Sequence, residues 1–298
     1  MNLRERNEQG IIKIGVIESY GTGNENAIIP FEMVPHYNNE QWTNHATDVI
    51  EVIRSFIPNA EIYLVKKNEQ GIKYLIEQGV AIINMSLAGM GEQPIEYLLK
   101  DKAFLVCAVG NSGEGGESWS AQKEFWCGVG AVGFTNIPKK YSSYGKGAVM
   151  TVAQLPIING VIMQGTSFTS PVIVGLLGQW YIWHKRTIGG YPGIAATNQF
   201  IKQNSHDIFE DGKDLKTGYG LLRLPKKFEG EKVVITEGEQ IAYRTTYVEG
   251  EPNKIKEIDL LKSAEIIDGR LVAPFRGVAN AFNKRTMWDP DKHQATFL

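Results

Sequence analysis

The chain has 298 residues, and 31 basic against 33 acidic side chains leave a net charge of −2. That balance gives no electrostatic ground for nucleic acid or an anionic membrane as a partner, and no apolar run reaches the ~18 residues a membrane helix needs. Hydrophobic residues at 43% and charged residues at 21% exclude whole-chain disorder and a coiled coil. At about 150 residues per domain the length fits two domains. Residues 1–9 are polar and mixed in charge, and no apolar signal segment follows them, so the expected location is the cytoplasm. Residues 11–17 predict a strand. Residues 45–57 predict a helix, with Val49, Ile50, Val52, Ile53, Phe56 and Ile57 largely on one face and Pro58 to stop it. A strand at 62–65, a short helix at 71–78, a strand at 81–86, a helix at 95–100 and a strand at 104–109 follow, then a glycine-rich loop at 110–116. Further strands are expected at 129–132 and 149–153, a long helix at 167–184 and another helix at 195–203.

Strands of nearly continuous apolar residues alternating with helices predict an α/β fold, a mainly parallel sheet with helices on both faces. Sites in such sheets lie beyond the carboxyl ends of the strands. The texture changes after Pro225. Residues 229–252 are rich in Glu, Lys, Gly and β-branched residues, which predicts hairpins, and the rest to Leu298 reads as a small α+β module. The expected domains are 1–228 and 229–298. Cys107 and Cys127 fall in apolar runs and read as small buried hydrophobes; with no histidine at ligand spacing they make no zinc site.

Four segments carry residues suited to acyl transfer. In Gly165-Thr166-Ser167-Phe168-Thr169-Ser170-Pro171 a glycine turn opens a long apolar helix with a serine in its first turn. The positive end of the helix and the free N–H of Ser167 favour the anion formed when a hydroxyl attacks a carbonyl. Alone, this is also an ordinary serine N-cap. Asn44-His45-Ala46-Thr47 opens another helix, where a neutral imidazole can take the Ser167 proton. Ile14-Gly15-Val16-Ile17-Glu18-Ser19 ends a buried strand with a carboxylate placed to orient that histidine. Ala108-Val109-Gly110-Asn111-Ser112-Gly113 ends another strand with an amide that can donate to an oxyanion.

Acid, histidine, asparagine and serine in that chain order resemble the subtilisin-like serine proteases, the subtilases. The strand Ile83-Asn84-Met85-Ser86-Leu87-Ala88-Gly89, the strand Val129-Gly130-Ala131-Val132 and the closing Thr217-Gly218-Tyr219-Gly220-Leu221 are also similar to that family's pattern, so the resemblance covers residues 11–225. It implies a subtilisin-like fold and a serine endopeptidase with Ser167 as nucleophile, His45 as general base, Glu18 as the orienting acid and Asn111 as oxyanion donor. It implies a polypeptide substrate paired as an added strand against Ser86, Leu87, Ala88 and Gly89, with Gly110 beside it. No cofactor and no metal are expected, and oligomeric state is left open. The sequence departs from the family at three points. Glu18 stands where the family has aspartate, Ala46 follows the histidine where the family has glycine, and the 45–57 helix lacks the interruption that forms a calcium loop in many members. Glu18 and Ala46 are the features that favour a rival reading, a pseudoenzyme that binds peptide without cutting it. The resemblance also puts the floor of the pocket for the residue before the cut just beyond the asparagine, at 113–119. There Glu114 and Glu117 read either as solvated loop residues or as groups that attract Lys or Arg, and Trp119 as an apolar lining.

The C-terminal segments Ile267-Asp268-Gly269-Arg270-Leu271-Val272-Ala273-Pro274-Phe275-Arg276, Val278-Ala279-Asn280-Ala281-Phe282 and Trp288-Asp289 resemble the copper amine oxidase N-terminal-like module. That resemblance implies an accessory domain and no copper site, since His293 is the sole histidine in the stretch. The plainer alternative is a structural extension of the first domain.

Overall fold

A computed structural model describes residues 12–18, 29–30, 44–87, 94–235, 241–251, 253–260, 265–267, 270–272, 286–289 and 294–297. The strands of its large sheet are β1 (Lys13–Glu18), β2 (Ile29–Pro30), β3 (Glu61–Lys66), β4 (Ile82–Met85), β5 (Phe104–Ala108), β6 (Cys127–Val132) and β7 (Val149–Gln154). A hairpin of β8 (Ile157–Ile158) and β9 (Val161–Ile162) follows, and β10 (Ser205–His206) and β11 (Leu221–Leu222) complete the sheet at one edge. The order is β10-β11-β7-β6-β5-β4-β1-β3-β2. All pairs are parallel except those made by the edge strands β10 and β2. Every residue of β5 and β6 is buried, as strands covered on both faces require. Cys107 and Cys127 are among them, both as free thiols, and burial pushes the Cys127 thiol up to about 12.

Among the described residues four α-helices accompany the sheet: α1 (Asn44–Phe56), α2 (Glu69–Gln78), α3 (Thr166–Thr187) and α4 (Ile194–Asn204). The Asn68 side chain caps α2 by accepting from Gly71 N–H, and Gly79, at φ +63°, ends it in the left-handed conformation. Helix α3 packs on α1 through glycines. A Cβ on Gly175 would stand 2.6 Å from Phe56, and one on Gly178 would collide with Ile57 Cδ1. Gln179 Nε2 donates to the Phe56 carbonyl at 2.9 Å, satisfying a group at the end of α1. Helix α1 carries His45 near its start and α3 carries Ser167 near its start, so this contact ties together the two helices that bear those residues.

The expected helix at 95–100 is instead a 3-10 segment, Pro94–Leu99. Six residues are too few to repay α-helix nucleation, and Asp101 at φ +64° ends the run. The edge strands β2 and β10, the strand β11 beside β10 and the β8–β9 hairpin add to the expected elements.

The chain divides into two compact units, Met1–Arg186 with Gly190–Pro225, and Thr187–Gly189 with Lys226–Leu298. In the second unit β12 (Glu229–Ile235), β13 (Ile241–Val248) and β14 (Lys254–Asp259) form an antiparallel sheet around buried Ala242, Ile258 and Leu260. The pairs β15 (Glu265–Ile267) with β16 (Arg270–Val272), and β17 (Thr286–Asp289) with β18 (Gln294–Phe297), are also antiparallel. Residues 268–269, 273–285 and His293 lie outside the described residues. Among the described residues no helix is long and apolar enough to cross a membrane.

Candidate active site

Strand β1 lies between β3 and β4, and its apolar residues bury both faces, so its last residue, Glu18, is carried into the interior at 3% exposure. The carboxylate has a partner there. His45 Nδ1 lies 3.1 Å from Glu18 Oε1. The hydrogen bond to Glu18 holds the His45 imidazole above its ordinary value of 6.5, with the Glu18 and Asp48 charges adding to it and burial opposing it. Burial raises Asp48 in turn. The His45 ring packs against Phe168, centroids 5.4 Å apart, which sets it beside the start of α3. With Nδ1 taken by Glu18, Nε2 is the nitrogen left to act on a hydroxyl.

Ser167 lies in the first turn of α3. Gly165, at φ +116°, makes the turn that only glycine adopts freely, and its N–H donates to the Tyr141 hydroxyl at 3.0 Å. Ser167 Oγ donates to the Ser86 carbonyl at 3.2 Å. Ser86 Oγ donates back to the Ser167 carbonyl at 2.7 Å and accepts from Asn84 Nδ2 at 2.9 Å. A hydroxyl has one proton, so Ser170, 3.0 Å away, is the donor in its own contact with Ser86. The end of β4 is thereby laced to the first turn of α3.

Asn111 is exposed at the end of β5. Its Oδ1 accepts from Thr166 N–H at 2.9 Å and lies 3.1 Å from the Thr166 hydroxyl. The carbonyl end of the amide is thus occupied, and the Nδ2 end is the donor left for a ligand. Gly110, at φ +111°, donates its N–H to Thr166 Oγ1, and its carbonyl accepts from Ser143 N–H and the Thr166 hydroxyl. Both of its backbone groups are engaged within the site's own loops.

The structure therefore gathers Glu18, His45, Ser86, Gly110, Asn111 and Ser167 at the carboxyl ends of β1, β4 and β5 and the starts of α1 and α3. Leu87 is half-buried against the core of the sheet; Ala88 and Gly89 lie outside the described residues. Thr166, Ser170, Asn84 and Tyr141 join the site without having been singled out in the sequence. Glu117 is not a solvated loop residue: it is buried at 7% exposure. Glu114 is exposed and accepts from the Tyr144 hydroxyl at 3.1 Å. Trp119 is half-buried, with the Lys123 ammonium 4.2 Å above its ring.

The model of the family described as "Subtilase family" matches residues 33–220, more than half of the chain. The chain belongs to the subtilase family. This subtilase is 28% identical over 174 residues to the cell wall-associated protease of Bacillus subtilis (strain 168), a match covering 52% of this chain and 19% of that protein. It is 32% identical over 124 residues to the major intracellular serine protease of the same organism, covering 36% of this chain and 39% of that one. The chain thus spans well under half the length of these relatives. Among solved structures, a lanthipeptide protease is similar at TM-score 0.56 and 14% identity, covering 71% of this chain and 85% of that one. The prenylagaramide maturation protease PagA is similar at TM-score 0.57 and 18% identity, covering 74% and 95%. At such identities the likeness concerns the fold alone.

Proposed function

We propose that this subtilase is a serine endopeptidase that cleaves polypeptides through an acyl-enzyme. The observation that carries the reading is the buried Glu18 carboxylate 3.1 Å from His45 Nδ1, at the helix start packed beside Ser167. Ser167 Oγ turns from the Ser86 carbonyl toward His45, passes its proton to Nε2 and bonds to the scissile carbonyl carbon. The oxyanion takes donors from Asn111 Nδ2 and from Ser167 N–H, which has no intrahelical acceptor in the first turn. Glu18 stabilises the imidazolium while it holds the proton. His45 then gives that proton to the leaving amine as the C–N bond breaks; water, deprotonated by His45, next bonds to the acyl carbon, and His45 returns that proton to Ser167 Oγ as the acyl C–O bond breaks. Ser86, Leu87, Ala88 and Gly89 are read as the edge on which the substrate backbone pairs.

The rival reading, a peptide-binding pseudoenzyme, drew on Glu18 and Ala46. A glutamate that reaches Nδ1, and an Ala46 methyl accommodated at 0% exposure, support the catalytic reading instead. In the C-terminal unit, the motifs in 267–289 are the ground for reading 229–298 as an accessory module similar to the copper amine oxidase N-terminal-like module, without copper. The name of one relative, an intracellular serine protease, is in keeping with a cytoplasmic location.

The test is a fluorophosphonate probe and a casein digest. Labelling at Ser167, with both labelling and cleavage abolished in Ser167→Ala, is the expected result. Cleavage by Ser167→Ala at the parent's rate overturns the assignment.

A further inference from the structure

The turn that opens α3 is gripped from two sides. Thr166 N–H donates to Asn111 Oδ1 at 2.9 Å, and Gly165 N–H donates to the Tyr141 hydroxyl at 3.0 Å. Gly165 is buried, so without the tyrosine its N–H would lose its acceptor at a position shielded from water. A Cβ on Gly165 would stand 3.5 Å from Asn111 Nδ2, which puts the Gly165 backbone against the amide end read above as an oxyanion donor.

The two gripping side chains come from loops that are themselves tied together. Gly113 N–H donates to the Tyr141 carbonyl at 2.9 Å, Ser143 N–H to the Gly110 carbonyl at 3.0 Å, and Ser112 N–H to Ser143 Oγ at 3.0 Å. Tyr141 and Asn111 are thus held in one frame, and that frame holds two successive amides of the turn. The next amide is that of Ser167. Burial lifts the Tyr141 hydroxyl above its ordinary value of 10, with the Gly165 bond opposing, so the group is a neutral hydroxyl near pH 7. Its one proton goes to Gln164 Oε1 at 3.4 Å, which leaves a lone pair for Gly165.

We propose that Tyr141 is a positioning residue for acyl transfer: its hydroxyl fixes the Gly165 peptide so that Ser167 N–H and Asn111 Nδ2 converge on one oxyanion. The inference rests on the peptidase reading above and adds a residue to it. Asn111 holds the turn at Thr166, and a single hydrogen bond leaves the turn free to pivot about it. The second bond, one residue earlier, removes that freedom. Donors fixed before the charge develops need no reorganisation in the transition state. Among the described residues the Tyr141 hydroxyl bonds Gly165 and Gln164, and neither the nucleophile nor the imidazole, so it acts through the turn.

The experiment compares the parent with Tyr141→Phe on one cleaved peptide, and on two inhibitors built from it. One is the peptidyl aldehyde, whose hemiacetal oxygen takes the oxyanion position; the other is the matching alcohol, which forms no oxyanion. Tyr141→Phe is expected to lower kcat about tenfold and to leave KM within about twofold. It should weaken the aldehyde about tenfold and leave the alcohol unchanged, because the lost positioning matters only to the charged oxygen. A merely structural role would move the melting temperature without that split. Parental kcat in Tyr141→Phe overturns the proposal, and so does a raised KM at parental kcat, which would make Tyr141 a substrate contact. Should Tyr141→Phe fail to fold, 4-aminophenylalanine in place of Tyr141 decides it. That side chain matches tyrosine in size and still donates to Gln164 but accepts poorly, so the same loss of kcat is expected and parental kcat overturns. Fluorophosphonate labelling of Ser167 together with parental kcat in Tyr141→Phe is a failure of this proposal alone. No labelling and no cleavage of any peptide by the parent overturns the peptidase reading with it.

Discussion

Thr166 N–H donates to Asn111 Oδ1 at 2.9 Å, and that bond decides which end of the asparagine amide is left to donate. The Thr166 hydroxyl adds to it, 3.1 Å from Oδ1 and 3.2 Å from the Gly110 carbonyl. Asn111→Ala should therefore lower kcat by about 10² to 10³ with little change in KM, because the lost donor acts on charge that develops in the transition state. Thr166→Val keeps the N–H and loses only the hydroxyl. Because the Gly110 N–H also loses its acceptor, it should cost more than the roughly tenfold worth of one hydrogen bond, and Thr166→Ser should restore the rate. Steady-state kinetics on a single peptide checks both, and an unaffected kcat in Asn111→Ala would remove it from the oxyanion site.

The Glu18–His45 pair makes a prediction about pH. The imidazole must be neutral to act as base, and its hydrogen bond to Glu18 raises it above 6.5, so kcat/KM should climb with an acid limb above that value. Glu18→Gln should move the limb to lower pH and drop the plateau by about 10³ to 10⁴. The stability effect has the opposite sense. A folded-state pKa raised above the unfolded value stabilises the fold below about 6.5, and that contribution is lost as pH rises through the raised value. Glu18→Gln should thus lower the melting temperature more near pH 5 than near pH 9. In Glu18→Asp the shorter side chain falls short of Nδ1 at the present backbone spacing, and activity should fall; a rise would show that β1 has not adapted to glutamate.

Ser86 ties three groups together, accepting from Asn84, donating to the Ser167 carbonyl and meeting Ser170. Asn84 is fully buried, and its Oδ1 already lacks a partner among the described residues. Ser86→Ala would strand Asn84 Nδ2 as well, at a cost of about 1–3 kcal/mol. Chemical denaturation measures it. The double variant with Asn84→Leu should recover part of the loss, whereas additive losses would mean that the two side chains do not act as a pair.

The parallel sheet was legible because its strands are apolar throughout: 104–108 and 127–132 carry no charge, and burial on both faces follows. Glu18, His45, Asn111 and Ser167 were legible because each closes a strand or opens a helix. The β8–β9 hairpin carries a signal of its own in the sequence. Asn159-Gly160, both at positive φ, sits between two β-branched pairs, the strongest short hairpin signature. Thr166, Ser170 and Tyr141 had no such mark, since a hydroxyl's partner depends on segments more than 20 residues away. The burial of Glu117 was hidden for the same reason. It depends on the 141–147 loop closing over it, and composition alone puts glutamate in solvent.

Helices α1 and α3 meet where glycine packs on aromatic and aliphatic side chains, Gly175 against Phe56 and Gly178 against Ile57. Both glycines are helical, so alanine would raise intrinsic helix propensity by about 1 kcal/mol. Overpacking runs the other way. A methyl 2.6 Å from the Phe56 ring must push α3 off α1 or force the ring out of its rotamer, at about 1–3 kcal/mol. Gly178→Ala meets Ile57 even more closely, so it should be the worse of the two. Since α1 carries His45 and α3 carries Ser167, the displacement should also appear in kcat, where misplacement of about 1 Å costs about 100-fold. Denaturation curves and kcat, both taken well below the melting temperature, test the two parts separately. Loss of stability with full kcat would mean that the helix starts are held by the Ser86 and Phe168 contacts and not by the glycine seam. Unchanged stability would mean that the two helices part at no cost.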